Sequence, residues 1–407
     1  MPSVILKKNK ERRLVAGHPW VYAGEIGKIT GQPSDGDAVD IRDHKDRFLG
    51  RGLLNTKSQI TVRRFTTEKE EIDENFFCRR IEGAIEYRRF LCRSALLGAT
   101  GQATRGREAA PTEAMRVVFS ESDQLPGLIL DQYGEHVVLQ ALTLGIEQRK
   151  RLITDIVREL LRPKAIIERS DVATRKLEGL EETKGILWGE TDGKVRLQFA
   201  EFSVEVNLIE DQKTGFFLDQ RSNYARVAAL CAGKSVLDGF SYHGAFALAA
   251  AKAGAASVEA VEISEPAVAQ ARRNVELNEL EGRIEFVCAN AFDVLKRYDH
   301  EKRRFDIIIL DPPSFTRTKA NVNDALRGYK EINLRALKML PPGGLLATFS
   351  CSHHIGAELF RAVIVDAAAD ARKPVRLVKA LTQAPDHPIL PAAPETEYLR
   401  GILLQVM

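Results

Sequence analysis

The spacing of hydrophobic positions divides the chain into regions of different predicted structure. In residues 1–67, short runs rich in β-branched and aromatic residues are separated by glycines. Strands are predicted here at 21–22, 38–41, 48–54 and 59–65. Short strands with tight turns are typical of a small β-barrel. Residues 68–94 instead place apolar side chains three to five positions apart, which predicts a helix.

The middle of the chain mixes predicted strands with one amphipathic helix, over 146–161. Strands are predicted at 116–119, 127–131, 136–142 and 165–168, and as a pair within 195–206. The small, polar and Gly-rich stretch 97–111 predicts a loop. Together with the helix over 68–94, these elements predict an α+β domain over residues 68–205.

From about residue 210, predicted strands and helices alternate regularly. Strands are predicted at 235–238, 257–262, 284–288, 305–310, 344–349, 375–380 and 398–406. Helices are predicted at 244–253, 266–278, 292–303, 323–339 and 356–370. Buried strands joined by helical crossovers predict a doubly wound, mostly parallel α/β sheet. The seven strands and the hairpin-like last pair predict an antiparallel last strand. Residues 206–407 would then have the class I methyltransferase variation on the Rossmann fold.

Charge is distributed unevenly along the chain, although the formal net charge is only +3. Residues 1–67 hold 13 basic and 7 acidic side chains, which gives +6 and leaves −3 for the remainder. A small basic module on a slightly acidic body favours a polyanionic partner such as RNA or DNA. A solvated basic face is the alternative.

Composition excludes several other classes of protein. The 407 residues have ordinary globular composition, which argues against collagen-like, coiled-coil and disordered chains. No apolar run is long enough to span a bilayer. The first ten residues include basic side chains, but the apolar stretch of a secretory signal does not follow them. Five cysteines without a C-x-x-C pair argue against a disulfide framework and a zinc site. We therefore expect a cytoplasmic protein with no metal and no membrane partner.

The first βα turn of the predicted sheet contains glycines but lacks the G-x-G-x-x-G pattern. It runs from Asp238 to Gly244, and Phe240 and Tyr242 crowd the place where a dinucleotide pyrophosphate would need close backbone contact. S-adenosylmethionine has no phosphate, so this crowding does not exclude it. Asp238 could then face the cofactor's amino group, and Glu262, at the end of the next strand, its ribose diol. NAD binding, or strand-end acids without a ligand, are the alternatives.

Two further segments could contact the same cofactor. Residues 212–221 are dense in polar, aromatic and glycine residues, which favours a lid over the methionine end. An ordinary helix entry is the alternative. Asn290 follows the third strand and is placed to meet the adenine, although a loop Asn is usually a turn residue.

The fourth and fifth strands end in residues suited to chemistry. Asp311 is followed by two prolines that fix the backbone, and Phe315 could stack on a ring. Cys351 is flanked by hydroxyl groups and by His353 and His354, surroundings that can raise the thiolate fraction. A plain strand-terminating turn and a zinc site are the competing interpretations, and the zinc site lacks a fourth ligand. The other cysteines are predicted to be buried fillers: Cys78, Cys92, Cys231 and Cys288.

A cysteine at this place favours one type of methyl transfer. Carbon 5 of a pyrimidine is too weak a nucleophile to take a methyl group unaided. A thiolate added at carbon 6 makes carbon 5 nucleophilic, and a base then removes the carbon 5 proton as the thiol leaves. An acid such as Asp311 would hold or protonate the ring edge. Methylation of an amine or a ribose oxygen needs no cysteine.

These motifs resemble a known family over essentially the whole chain. The chain is similar to the PUA-containing RNA cytosine-5 methyltransferases, typified by the large-subunit ribosomal RNA enzyme of bacteria. The similarity lies at residues 17–22, 121–128, 168–171, 213–221, 311–313 and 350–352. It implies that Cys351 is the nucleophile and Asp311 the acid. Where the family often has Asp, this chain has Asn290.

The resemblance and the motifs together imply two sets of binding residues. S-adenosylmethionine is expected to contact Lys213, Thr214, Gly215, Phe216, Asp219, Arg221, Asp238, Phe240, Ser241, Gly244, Glu262, Asn290 and Asp311. RNA, with ribosomal RNA as the expected kind, should meet the basic side chains Lys7, Lys8, Lys10, Arg12, Arg13, Arg63 and Arg64 through phosphate contacts. A base flipped between Cys351 and Asp311 would then be read in the pocket.

Other functions stay open at this point. The closest is a uridine carbon-5 RNA methyltransferase, because it uses the same cysteine and acid. A non-catalytic RNA-binding protein and a small-molecule methyltransferase are the others, and the basic residues 1–67 count against the last. A homodimer is also open.

Overall fold

The computed structural model describes residues 1–93, 114–199, 201–212, 214–316 and 318–407. The predicted loop 97–111 and the predicted cofactor contact Lys213 lie outside these residues. None of the helices within the described ranges has the length and apolar composition to cross a membrane.

The amino-terminal region is a six-stranded sheet with one short helix, α1 (Arg12–Val15). Its strands are β1 (Ser3–Leu6), β2 (Trp20–Val21), β3 (Ile26–Thr30), β4 (Ala38–Arg42), β5 (Phe48–Leu54) and β6 (Val62–Thr66). Their order is β2-β6-β5-β4-β1-β3. Alternating residues such as Val39 and Ile41 form its core. The predicted small β module is confirmed. Strands β1 and β3 were not predicted, because one is short and the other is mostly solvent-exposed.

The middle region packs two helices against a five-stranded sheet. The helices are α2 (Glu74–Arg93) and α4 (Lys150–Leu161), with the short α3 (Leu144–Glu147) before α4. The strands are β7 (Ala114–Phe119), β8 (Leu128–Tyr133), β9 (His136–Ala141), β10 (Ala165–Ser170) and β11 (Thr183–Gly189), in the order β11-β10-β9-β8-β7. Apolar side chains of both helices and the sheet form one cluster. Strand β11 was not predicted, because this edge strand is half-buried at most.

The predicted pair of strands within 195–206 is a hairpin of β12 (Lys194–Gln198) and β13 (Ser203–Asn207). The hairpin packs on helix α7 (Glu265–Leu277) of the following region. The backbone N–H of Glu205 donates to Asn274 Oδ1 at 2.9 Å, and the N–H of Ser203 donates to Asn278 Oδ1 at 2.8 Å. The predicted domain boundaries at 67 and 205 stay predictions.

The carboxy-terminal region is a seven-stranded sheet with helices on both faces. Its strands are β14 (Ser235–Gly239), β15 (Ser257–Glu262), β16 (Ile284–Cys288), β17 (Ile307–Leu310), β18 (Leu345–Ser350), β19 (Val375–Thr382) and β20 (Arg400–Val406). The order is β16-β15-β14-β17-β18-β20-β19, and β20 runs antiparallel to both neighbours. The predicted mostly parallel sheet with an antiparallel last strand is therefore confirmed.

The helices of this region lie in two layers. Helices α5 (Arg221–Ala228), α6 (Ala245–Lys252) and α7 cover one face, and α8 (Ala291–His300), α9 (Val322–Met339) and α10 (Ala357–Asp370) cover the other. From β14, the strands that follow in sequence are added on one side of the sheet as far as β16, and the chain then returns to add β17 on the other side of β14. The boundary between β14 and β17 is therefore the topological switch point. Ligands of open α/β sheets bind at such a switch point, beyond the carboxyl ends of the strands.

Candidate active site

A cavity of about 660 Å³ opens at this switch point. Phe240 and Ser241 line it after β14, Glu262 lines it from the end of β15, Asp311 follows β17 and Cys351 follows β18. Because the carboxyl ends of parallel strands meet at one edge of the sheet, residues far apart in sequence share this wall. The two residues predicted to act in catalysis, Asp311 and Cys351, thus line the same cavity.

The turn between β14 and α6 has an unusual backbone. Phe240 and Tyr242 have φ angles of 74° and 49°, values that non-glycine residues adopt rarely. The N–H groups of Phe240 and Ser241 both donate to the carbonyl of Val261, at 3.0 and 2.9 Å. Gly244, with φ of 80°, ends the turn and starts helix α6. This backbone directs Phe240, Ser241 and Tyr242 to the cavity wall.

Glu262 stabilises the same turn from the neighbouring strand. Its Oε2 accepts the N–H of Tyr242 at 2.9 Å, and its Oε1 accepts the N–H of Ser264 at 2.8 Å. The carboxylate is thereby held in one orientation at the cavity wall. Asn290 also lines the cavity, and its side chain caps α8 by accepting the N–H of Phe292 at 2.9 Å.

Asp238 is fully buried at the end of β14. Its Oδ2 accepts the N–H of Ala247 at 3.1 Å, whereas its Oδ1 has no hydrogen-bond partner among the described residues. Burial and the nearby charge of Asp311 raise the pKa of Asp238 to about 8. A cationic group bound next to it would relieve this penalty.

The loop that carries Cys351 is held by a tyrosine that the sequence did not single out. Tyr329 of α9 is fully buried, and its hydroxyl bonds to the hydroxyls of both Ser350 and Ser352 at 2.9 Å. Ser352 Oγ in turn accepts the N–H of Phe315 at 3.1 Å. The two flanking serines therefore fix Cys351 between them and tie its loop to the loop after Asp311.

The thiol of Cys351 is half-buried and faces the loop that follows β17. Its Sγ lies 3.8 Å from the carbonyl oxygen of Pro312, the residue after Asp311. Pro312 also lines the cavity, together with Phe315. The sulfur is thus presented to the cavity and is not enclosed among aliphatic side chains.

The segment over 214–221 divides between the cavity and the protein interior. Phe216 and Asp219 line the cavity, and the hydroxyl of Tyr398 donates to Asp219 Oδ2 at 2.7 Å. Five predicted cofactor contacts are not among the described residues that line the cavity: Thr214, Gly215, Arg221, Asp238 and Gly244. Gly215 adopts φ of 130°, where a Cβ atom would come within 2.7 Å of the Leu208 side chain.

Thr214 and Arg221 belong instead to buried networks behind the cavity. Thr214 Oγ1 donates to Asp131 Oδ2 at 2.6 Å, and Asp131 also pairs with Arg116 at 2.8 Å. Arg221 pairs with the fully buried Asp386 at 3.2 Å. Burial alone would raise the pKa of Asp386, but Arg221 and His387 hold it below its ordinary value. The Thr214 contact therefore ties the segment 214–221 to the middle region, and the Arg221 contact ties it to the loop between β19 and β20.

The seven cations predicted to contact RNA fall into two groups. Lys7, Lys8, Lys10 and Arg12 are exposed. Arg13 pairs with Glu25 at 3.1 Å, and Arg63 pairs with the buried Glu178 at 2.9 Å. Arg64 donates to the carbonyl oxygens of Leu14 and Leu49, and burial lowers its pKa. Three of the seven therefore already serve the fold.

The other cysteines are less uniform than predicted. Cys231 is buried, as expected, but Cys78 and Cys92 are half-buried and Cys288 is exposed. The prediction of a buried Cys288 was wrong because β16 is an edge strand, and its last residue lies at the border of the sheet. No group of three or more His, Cys, Asp or Glu side chains in the described parts of the chain is arranged to hold a metal ion.

Comparisons with known families agree with this architecture. Residues 4–67 match the model of a PUA-like domain, and residues 187–400 match the S-adenosylmethionine-dependent methyltransferase family. The second match covers more than half of the chain. The chain therefore belongs to the S-adenosylmethionine-dependent methyltransferases, and S-adenosylmethionine is its cofactor.

Curated relatives narrow the family further. A protein of Shewanella denitrificans is 42% identical over 405 residues, covering 98% of each chain. A protein of Pseudoalteromonas atlantica is 39% identical over 406 residues, covering 99% of each. Both relatives are named ribosomal RNA large subunit methyltransferase I.

Solved structures show the same fold. A SAM-dependent methyltransferase structure from Streptococcus mutans superimposes with a TM-score of 0.83 at 21% identity, over 100% of both chains. A second crystal structure of this fold, with the same TM-score, is a methyltransferase complexed with SAH. At this level of identity the likeness concerns the fold alone.

The residues around the cavity fit S-adenosylmethionine. The molecule carries an ammonium group, a ribose diol and an adenine ring. The fixed carboxylate of Glu262 suits the diol. Asp238 does not line the cavity itself, but it directly precedes the turn whose Phe240 and Ser241 do, and its buried, unpartnered Oδ1 suits the ammonium. Ser241 is buried, and its Oγ has no bonding partner within the described ranges, which leaves one more polar group for a ligand. Phe240 and Phe292, with ring centres 6.2 Å apart, provide an aromatic wall.

Proposed function

We propose that this protein transfers a methyl group from S-adenosylmethionine to carbon 5 of a cytosine in large-subunit ribosomal RNA. The observation that carries the proposal is the placement of Cys351 and Asp311 on one wall of the cofactor cavity. The names of the curated relatives support the RNA substrate, and the PUA-like region supports an RNA partner.

Cys351 is the nucleophile in this proposal. Its thiolate forms a bond to carbon 6 of the pyrimidine and pushes electron density to carbon 5. The bound cofactor supplies a sulfonium methyl group, which carbon 5 takes up. A base then removes the proton from carbon 5, and the bond between sulfur and carbon 6 breaks to restore the ring. The bonds of Ser350 and Ser352 to Tyr329 position the sulfur for both steps.

Asp311 holds the ring edge while the thiolate adds. A carboxyl at the end of β17 can hydrogen-bond to the exocyclic amine and ring nitrogen of cytosine. The prolines after it keep its loop rigid, and the carbonyl of Pro312 already lies beside the sulfur. Phe315 lines the same side of the cavity and offers a face for the base.

The side chains in and next to the cavity support a set of cofactor contacts. We assign the ammonium group to Asp238, the ribose diol to Glu262 and the adenine side to Asn290 and the Phe240–Phe292 wall. The lid segment contributes Phe216 and Asp219 directly. Thr214 and Arg221 act through the buried contacts that hold this segment, so we assign them a positioning role.

The uridine version of the reaction is the closest alternative. Cytosine presents a donor amine where uracil presents an acceptor oxygen. Acceptors on the target side of the cavity, Asp311 and the Pro312 carbonyl, favour the amine. A non-catalytic RNA-binding protein would have no need for a thiol that faces the cofactor cavity.

One experiment separates these functions. The full-length protein is incubated with unmethylated RNA transcripts and labelled S-adenosylmethionine, and the digested nucleosides are analysed by mass spectrometry. The proposal expects 5-methylcytidine with the wild-type protein and none with Cys351→Ala. 5-Methyluridine would establish the alternative, and no product despite RNA binding would indicate a non-catalytic protein.

A further inference from the structure

A second cavity, of about 450 Å³, lies away from the cofactor site. It is formed between helix α2 and the helical turn Ser120–Asp123 that follows β7. Arg79, Arg80 and Tyr87 line it from the helix, and Ser122 and Gln124 line it from the turn. Neither the resemblance nor the family matches assign a role to this cavity.

Two residues that line this cavity each have a buried polar atom without a bonding partner. Arg80 Nε and Ser122 Oγ are both screened from solvent, and within the described ranges neither makes a hydrogen bond. A buried donor without an acceptor costs about 1–3 kcal/mol, so such groups usually have a ligand or a structural purpose. Two such groups on residues that line one cavity suit a ligand that brings several acceptor oxygens.

The charges around the cavity select an anion. Arg79 forms an ion pair with Glu70, and Arg80 lies 4.0 Å from the same carboxylate. Two guanidinium groups therefore share one acid. Asp123, the acid among the described residues that line the cavity, is already paired with the buried Arg88. The net charge that faces the cavity is positive, which suits an oxyanion.

The turn that lines the cavity also contacts the amino-terminal region and a residue of the first cavity. Glu121, next to Ser122, accepts the indole N–H of Trp20 in the amino-terminal region at 2.8 Å. Phe119 lies at the start of the same turn, and its ring centre is 5.9 Å from that of Tyr398, which lines the first cavity. The turn therefore contacts both regions that the proposed RNA substrate would have to reach.

We propose that this cavity binds a backbone phosphate of the RNA substrate. The Arg80 guanidinium and the Ser122 hydroxyl donate to the phosphate oxygens, and Arg79 adds charge at the mouth. The phosphate is a positioning contact, which holds the strand without reading its sequence. This inference rests on the proposed function, because it takes the polyanion to be the RNA that is methylated.

The test uses the full-length protein and unmethylated large-subunit ribosomal RNA transcript. Ser122→Ala removes a hydroxyl that makes no hydrogen bond in the described structure, so folding should be unaffected. We expect RNA affinity to fall about tenfold, the effect of losing a hydrogen bond to a charged group. Arg80→Gln should weaken binding as well and reduce the steepness of its salt dependence by about 0.7–0.9.

Two further variants sharpen the result. Arg89→Gln is the matched control, since Arg89 lies on the same helix, is exposed and pairs with Glu86 outside the cavity. It should leave affinity close to the wild-type value. Glu70→Gln removes the acid that competes for both guanidinium groups and should tighten RNA binding.

The outcomes distinguish this inference from the proposed function. If the wild-type protein binds and methylates the RNA while Ser122→Ala and Arg80→Gln bind like Arg89→Gln, the phosphate site is wrong and the function stands. If the wild-type protein does not bind the RNA at all, both proposals are overturned.

Discussion

The cofactor cavity and the amino-terminal region differ in how their polar residues are used. At the cavity, Ser241, Glu262, Asp311 and Cys351 all reach one wall because each lies at or after the end of a parallel strand. In the amino-terminal region, the predicted RNA contacts divide between solvent and the interior. Arg63 is a clear example, since it pairs with the buried Glu178.

This difference explains why the location of a residue at a strand end can be predicted, whereas that of a basic surface residue cannot. Strand ends converge by topology, so a polar residue that follows a strand has a predictable location. A basic side chain on a small β module has no such constraint, because its partner can come from a distant segment. Charge counted over residues 1–67 therefore overstates the number of cations that RNA can reach.

The largest predicted effect is the loss of methyl transfer when Cys351 in the cavity is replaced. Cys351→Ala should lower methyl transfer by about 10³-fold or more, because the covalent step is lost, while cofactor binding is retained. The measurements are methyl incorporation into RNA and calorimetric binding of S-adenosylmethionine. Cys288→Ala is the matched control, since this exposed thiol lies on the edge strand. Equal turnover of the two variants would contradict the covalent mechanism.

A large effect on stability is expected in the amino-terminal region. Arg63→Ala leaves the buried Glu178 without its charged partner, so the free energy of unfolding should fall by about 3 kcal/mol. Denaturant unfolding measures the change. Lys8→Ala, at an exposed position, should have no such effect. If both variants were equally stable, the division of the cations into two groups would be wrong.

Asp238 gives a pH-dependent prediction. Its pKa of about 8 lies above the value in the unfolded chain, so the folded protein binds more protons than the unfolded one between about pH 4 and 8. Stability should therefore fall as pH rises through this window and level off above it. Asp238→Asn should flatten this slope in thermal unfolding of the protein without cofactor.

Asp238→Asn should also weaken the binding of S-adenosylmethionine. An ammonium group binds the ionised carboxylate, so wild-type affinity for S-adenosylmethionine should rise with pH up to about 8. Asp238→Asn should bind about 10-fold more weakly and lose this pH dependence. Calorimetry at about pH 6.5 and 8.5, on either side of the pKa, measures both. An unchanged affinity would remove Asp238 from the cofactor site.

The smallest predicted effect is on RNA binding, when the exposed cations of the amino-terminal region are replaced. Replacing Lys7, Lys8, Lys10 and Arg12 together by Gln should weaken RNA binding, because fewer phosphates are neutralised. The salt dependence of binding should flatten by about 0.7–0.9 for each phosphate that these side chains neutralise in the wild type. The fold should stay as stable as the wild type. An unchanged salt slope would show that RNA is bound elsewhere.

The fold could be predicted from the sequence wherever strands are buried and separated by helices. Strands 257–262 and 284–288 have the predicted bounds, because their apolar runs end at clear turns. Strands β3 and β11 were missed because they are exposed edge strands whose pattern is set by the neighbouring strand. These two strands form because they hydrogen-bond to a neighbouring strand, and their own sequence does not show that contact.

Parts of the site depend on contacts that no local pattern contains. Tyr329 lies within helix α9 and resembles any buried aromatic residue, yet its hydroxyl bonds to both serines beside Cys351. Arg221 lies in the segment predicted to contact the cofactor, yet it pairs with Asp386 far along the chain. Only the folded arrangement shows that these residues position others.

The most direct test of the central claim is to trap the bond between Cys351 and the target base. RNA that carries 5-fluorocytidine cannot lose a proton from carbon 5 after methylation, so the enzyme should stay attached. With S-adenosylmethionine present, the wild-type protein should form an RNA complex that survives denaturing electrophoresis, and Cys351→Ala should not. A wild-type protein that methylates normal RNA but forms no such complex would contradict the mechanism.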